Sequence, residues 1–184
     1  MIPALPLAQR NRLAEIILAA FHDERAREEL AALATPQAAE RWLAGAERRW
    51  TWALTERARR AASLHAGRAL RPEKRDLAAA LEDAALLFDA GLHFEVHEML
   101  EPYWAESAGE TREALQGLIQ AAVGFQHLAN GNLPGARSLL LEAGKRLHRR
   151  RLLGRDLDGF AQTAAELAER AGAGEPVAPP DFPR

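Results

Sequence analysis

Leu13, Ile16, Ile17, Ala20 and Phe21 fall at i, i+3, i+4, i+7 and i+8, the spacing that lays one apolar stripe along an α-helix. The same period returns further along the chain, while stretches alternating apolar and polar residues, the mark of a half-buried strand, are scarce. Ala, Leu, Arg and Glu dominate, and β-branched residues are few, so local propensity and periodicity agree. The fold class expected is all-α, a compact helical bundle of antiparallel helix hairpins. At 184 residues the chain is long enough to bury a sizeable core without disulfides or a structural metal.

Glycine and proline divide the chain. Thr35-Pro36 supplies an N-cap and a first-turn proline for one long helix expected to run to about Ala66 with Trp42, Trp50 and Trp52. "GRALRPEKRD" reads as a linker. The following helix, "DLAAALEDAALLFDA", stops at Gly91, and the next runs to about Glu106. Ser107 and Glu110 have capping-box spacing for a third helix that stops at Gly131. Asn132 and Pro134 start a fourth, "LDGFAQTAAELAERAG" makes a last, and the proline-rich "AGEPVAPPDFPR" reads as a tail. Three parts are expected: residues 1–70 as a helical extension packed on the core, 71–172 as the helical-hairpin core, and 173–184 as a flexible tail.

Laying Gly91 on Gly131 aligns Val96 with Ala136, Met99 with Leu139 and Leu100 with Leu140. This weak repeat of helix pairs is similar to tetratricopeptide-type hairpins, but two units are fewer than the roughly three a solenoid needs. A closed bundle accommodates them better.

The chemistry concentrates in "FDAGLHFEVHEMLEPYW", residues 88–104. With 3.6 residues per turn, Val96, Met99, Leu100 and Tyr103 make an apolar face, while His93, His97 and Glu101 form an i, i+4, i+8 row. Glu95 and Glu98 are expected to point toward solvent. The next helix carries Gln116, Gln120, Val123 and His127 on one stripe, and a short connection makes the two helices antiparallel neighbours. If the polar rows face each other, His97, Glu101, Gln116, Gln120 and His127 meet between helices.

Neither the zincin motif nor the di-iron carboxylate pattern is present, because Glu101 stands where a second histidine belongs and the third helix offers glutamines. Imidazole and carboxylate still suit one divalent metal, with His97, Glu101 and His127 as candidate ligands and His93 behind them. The sequence requires none. For a catalytic site the candidates are Glu98 or Glu101 as base with His97. The preferred reading is that these groups satisfy one another across a helix interface, since an unpaired buried polar group costs about 1–3 kcal/mol.

Zero cysteines exclude thiolate chemistry. A net charge of −2 argues against general attraction to nucleic acid. "KRLHRRRLLGR" reads as a solvated helix end, and "ERRWTWALTERARR" as tryptophans buried under arginine stems. His22, His65 and His148 are expected at the surface. No membrane span or secretory leader is visible, so a soluble, cytoplasmic location is the expectation.

Phe94-Glu95-x-His97-Glu98-x-Leu100-Glu101-x-x-Trp104, then Gln116-Gly117-Leu118-Ile119-Gln120, His127, Gly131-Asn132 and Gly135-Ala136 resemble the bacterial and archaeal "domain of unknown function 309" family. The resemblance covers roughly residues 80–148. His93 stands where that pattern has an aromatic residue. The resemblance implies a small helical bundle in which His97, Glu98, Glu101, Trp104, Gln116, Gln120 and His127 stand together, and it implies no activity. The function expected is an interaction or scaffold module with a protein partner or self-association, whose His/Glu/Gln cluster is an inter-helix hydrogen-bond network. The alternative is a metal-dependent, hydrolase-like enzyme or small-ligand binder using that cluster.

Overall fold

The computed structural model describes residues 2–184. Helices account for nearly all its regular structure: α1 Leu7–Ala19, α2 Glu24–Leu33, α3 Pro36–Trp42, α4 Thr51–His65, α5 Leu77–Asp89, α6 His93–Glu106, α7 Gly109–Ala129, α8 Leu133–Leu147 and α9 Asp158–Gly172. A two-residue antiparallel pair, β1 Arg151–Leu152 with β2 Arg155–Asp156, joins α8 to α9. The all-α expectation is borne out.

The two glycine stops are built alike. Gly91 and Gly131 have φ of +73° and +74°, a left-handed turn that glycine adopts without the Cβ penalty. Behind each, the amide of the next residue reaches back, Leu92 N to Leu87 O at 2.9 Å and Asn132 N to His127 O at 3.0 Å. These are the bonds that close a helix C-terminus and reverse the chain. Asn132 then caps α8 by accepting from Gly135 N. Consecutive helices from α5 to α8 consequently run antiparallel, and Gly117 of α7 lets the Leu147 side chain of α8 lie where a Cβ would collide with it, 2.6 Å away.

Four local expectations change. The single helix foreseen from Thr35 to Ala66 is two, because buried Leu43 turns extended (φ −89°, ψ 136°) after α3 and a 3-10 turn over Gly45–Trp50 leads into α4. Thr35 does precede Pro36, but its hydroxyl donates backward to Ala32 O instead of capping. The capping box also fails to form, since Ser107 Oγ donates to Tyr103 O and the residue preceding α7 is Ala108. The "GRALRPEKRD" stretch is clamped: Arg27 donates to Arg68 O and Ala69 O, while Arg71 and Arg75 pair with buried Asp83 of α5. Burial pushes the Asp83 carboxyl up despite those arginines.

Phe88 is the hub of the aromatic core. Its ring lies 4.8 Å from His93, 5.6 Å from Phe125, 5.8 Å from Phe160 and 5.4 Å from Phe182, gathering α5, α6, α7, α9 and the C-terminal residues. The proline-rich tail is therefore docked. Phe182 is only 2% exposed, its amide donates to Asp89 Oδ1 at 3.0 Å, and Arg184 pairs with the same carboxylate. Proline prevents helix but leaves a buried aromatic free to anchor the segment. Phe182→Ala is expected to lose about 3 kcal/mol, the usual cost of emptying a buried aromatic site, read as a urea-midpoint shift. A loss below about 0.5 kcal/mol, the range of surface substitutions, would mean the tail does not contribute to the core.

Candidate functional site

The polar residues of α6 divide between inside and outside. Glu95, expected to face solvent, is fully buried and accepts both oxygens' worth of bonds from Arg57 Nη2 of α4, at 3.0 and 2.8 Å. Arg57 is itself fully buried, and its Nη1 reaches Gln126 Oε1 of α7 at 3.4 Å. Gln126 Nε2 continues to Ile2 O and to Asn130 Oδ1, which accepts from Ala4 N at 2.7 Å. One chain of bonds thus ties α4, α6, α7 and the N-terminal residues together. Helical spacing alone missed it, because the partner that makes burial of Glu95 tolerable lies 38 positions earlier, in a stretch whose arginines are expected to cover tryptophans and not to enter the core.

His93 lies beside this network and is 2% exposed. It packs against Phe88 and Phe125, with Nδ1 unpartnered. Burial, with Arg57 and Arg60 adding like charge, lowers its pKa to about 3. His93 is consequently a neutral core ring in an apolar setting. His65, expected at the surface, is also buried, edge-on to Phe21 at 4.6 Å, and burial lowers its pKa to about 4. His22 is half-buried and His148 exposed.

The remaining signature residues line the outside of the α6–α7 pair. His97, Glu98, Trp104, Gln116 and Gln120 are half-buried, and Glu101 is exposed. His97 Nδ1 donates to Glu98 Oε1 at 2.8 Å. Each of His97, Glu98 and Glu101 places one potential ligand atom within 4.8 Å of the others. Trp104 is covered by the Arg112 guanidinium, 3.9 Å from its ring centroid, and Arg112 also donates to Trp104 O. Two atoms on this face are buried without a partner among the described residues, the indole Nε1 of Trp104 and Gln120 Oε1.

His127 stands apart. Arg112 sits beside Trp104 at one end of the helix pair and Phe125 beside His93 at the other, which puts His97 level with about residue 120. His127 is then roughly 10 Å further along α7, from 1.5 Å rise per residue. Its Nδ1 accepts from Asn132 Nδ2 at 2.9 Å. Among the described residues, no hydrogen bond joins His97, Glu98 or Glu101 to Gln116, Gln120 or His127.

The basic run around the end of α8 is partly matched by acids: Arg146 pairs with Glu113, Arg150 with Glu110 and Arg155 with Glu82. Trp42 and Trp50 are half-buried, as a packing role requires, whereas Trp52 is 58% exposed.

Fold and site together define an all-α helix-hairpin protein with a polar face on its central hairpin. Residues 81–139 match the family described as Domain of unknown function (DUF309), as the signature residues led us to expect. The match covers about a third of the 184-residue chain. It contains Glu95, Gln126 and the whole outer face, but not Arg57. No curated protein and no solved structure matches. No helix among the described residues is long and apolar enough to cross a membrane.

Proposed function

We infer that the protein is a helical interaction module whose outer α6–α7 face, with His97, Glu98, Glu101, Trp104, Gln116 and Gln120, receives a polypeptide partner. The observation that carries this reading is the pair of unpartnered atoms, Trp104 Nε1 and Gln120 Oε1. A buried donor or acceptor left unmet costs about 1–3 kcal/mol. The main chain of a docked polypeptide offers carbonyls and amides along one edge and can supply both complements. Buried Arg57, Glu95 and Gln126 do not compete for this role, since they are enclosed between α4, α6 and α7 and bond to one another there.

A photo-cross-linking residue at Gln116, in cells that make the protein, tests this. The expected result is one discrete adduct, weakened by Trp104→Phe and Gln120→Leu, which remove the unpartnered atoms while retaining bulk. No adduct, or one indifferent to both substitutions, would sink the reading.

The second reading is a divalent cation on His97, Glu98 and Glu101, favoured by the convergence of their ligand atoms. Two of those three groups already satisfy each other in the His97–Glu98 bond, so the interaction reading stands ahead of it. Calorimetric titration with zinc or manganese separates the two. Stoichiometric binding lost in Glu101→Gln would transfer the face to metal chemistry.

A further inference from the structure

A cleft of about 710 Å³ opens on a different part of the molecule, at the start of α4, lined among others by Arg49, Trp52, Thr55, Glu56, Arg59 and Arg60. None of the residues of the α6–α7 face borders it. Its volume falls in the range of small-molecule sites, roughly 300–1,000 Å³.

Four features give the cleft a chemistry. Trp52 presents an indole that is 58% exposed, a surface a flat ring can cover by stacking. Three guanidinium groups face a single carboxylate, so the cleft is positive although the whole chain carries −2. Glu56 accepts from Arg59 at 2.6 Å and from Arg60 at 3.1 Å, which holds both forks in place without occupying all their donors. Arg49 has no ion-pair partner among the described residues.

The fourth feature is Thr55. It is 5% exposed, borders the cleft, and its Oγ1 makes no hydrogen bond among the described residues. A helical threonine ordinarily satisfies its hydroxyl on the carbonyl three or four residues back, as Thr163 does on Gly159 O at 3.0 Å. A buried, unpartnered hydroxyl on a residue that lines a positive cleft is a hydrogen-bond group available to a ligand atom.

We propose that this cleft binds a mononucleotide, with the base stacked on Trp52, the phosphate held among Arg49, Arg59 and Arg60, and the Thr55 hydroxyl bonded to a phosphate or sugar oxygen. Arginine forks suit phosphate oxygens, and base–aromatic stacking tolerates any base because each has a π-face. A polynucleotide would need a continuous basic track, and the basic run around the end of α8 is interrupted by acids, with Arg146, Arg150 and Arg155 paired to Glu113, Glu110 and Glu82. The site lies outside residues 81–139, so it belongs to this chain's N-terminal helices and not to the matched segment.

Calorimetry on the full chain at low salt tests the proposal with AMP, GMP, CMP and UMP, with adenosine and inorganic phosphate separately, and with a single-stranded octadeoxynucleotide. At least one mononucleotide is expected to bind at one site with Kd below ~1 mM, and adenosine or phosphate alone about tenfold more weakly. Trp52→Ala and Arg59→Ala should each weaken binding roughly tenfold. Both side chains are exposed, so unchanged melting curves will show that the variants fold. Absence of saturable binding to every mononucleotide, or wild-type affinity in both variants, overturns the proposal. An octanucleotide preferred by more than about tenfold also overturns it, in favour of single-stranded nucleic acid.

Discussion

Arg57→Ala is expected to cost about 3–5 kcal/mol, the penalty of breaking a buried ion pair from one side. Glu95 would keep its carboxylate at 0% exposure with its two bonds from Arg57 Nη2 removed, and Gln126 Oε1 would lose its bond as well. The companion Arg57→Met/Glu95→Leu variant should recover most of that loss, because replacing both partners with apolar groups removes the desolvation cost together with the attraction. Urea unfolding of the two single variants and the double variant gives the coupling energy directly. If Arg57→Ala shifts stability by less than about 1 kcal/mol, water must reach Glu95 and the enclosed network is wrong.

The second large effect is acid sensitivity. His93 and His65 have folded pKa values near 3 and 4, both lowered chiefly by burial from an ordinary value of 6.5. The folded state therefore refuses protons that the unfolded chain accepts. The stability linked to these rings is fully present above about pH 6.5 and is lost as pH falls toward their folded pKa values, on the order of 3 kcal/mol for each ring by pH 4. His93→Phe preserves an aromatic ring between Phe88 and Phe125 and abolishes its proton site. Unfolding free energies measured from pH 7 to pH 4.5 should fall less steeply in this variant, by up to roughly 1.4 kcal/mol per pH unit. An unchanged slope would show that His93 takes up a proton without leaving the core.

Much of the helical layout was legible because its signals are local. The apolar stripes, the Gly91 and Gly131 stops and the Asn132 cap each need only neighbouring residues to act, and they reappear as the antiparallel hairpins from α5 to α8. The Leu43 break was not legible, since a buried leucine drawn into the core overrode the helical propensity of its neighbours. The candidate site was legible as residue types and only partly as positions. Spacing put His97 and Glu101 on one flank of α6 but could not fix the register of α7, and that register leaves His127 beside Asn132. Glu95 looked solvent-facing because a carboxylate is expensive to bury without a partner, and nothing local identified Arg57 as that partner.

By itself the sequence determined the fold class, the helix-hairpin order and the residues of the α6–α7 signature, because periodicity, propensity and glycine turns act over a few positions. Tertiary structure alone decided which polar groups went inside. Arg57, Glu95 and Gln126 close their network across three helices, and His65, His93 and Phe182 meet Phe21, Phe125 and Phe88, aromatic neighbours far along the chain. The physical reason is that burying a charge or a ring depends on a partner at the right point in space, and only the packed chain supplies it.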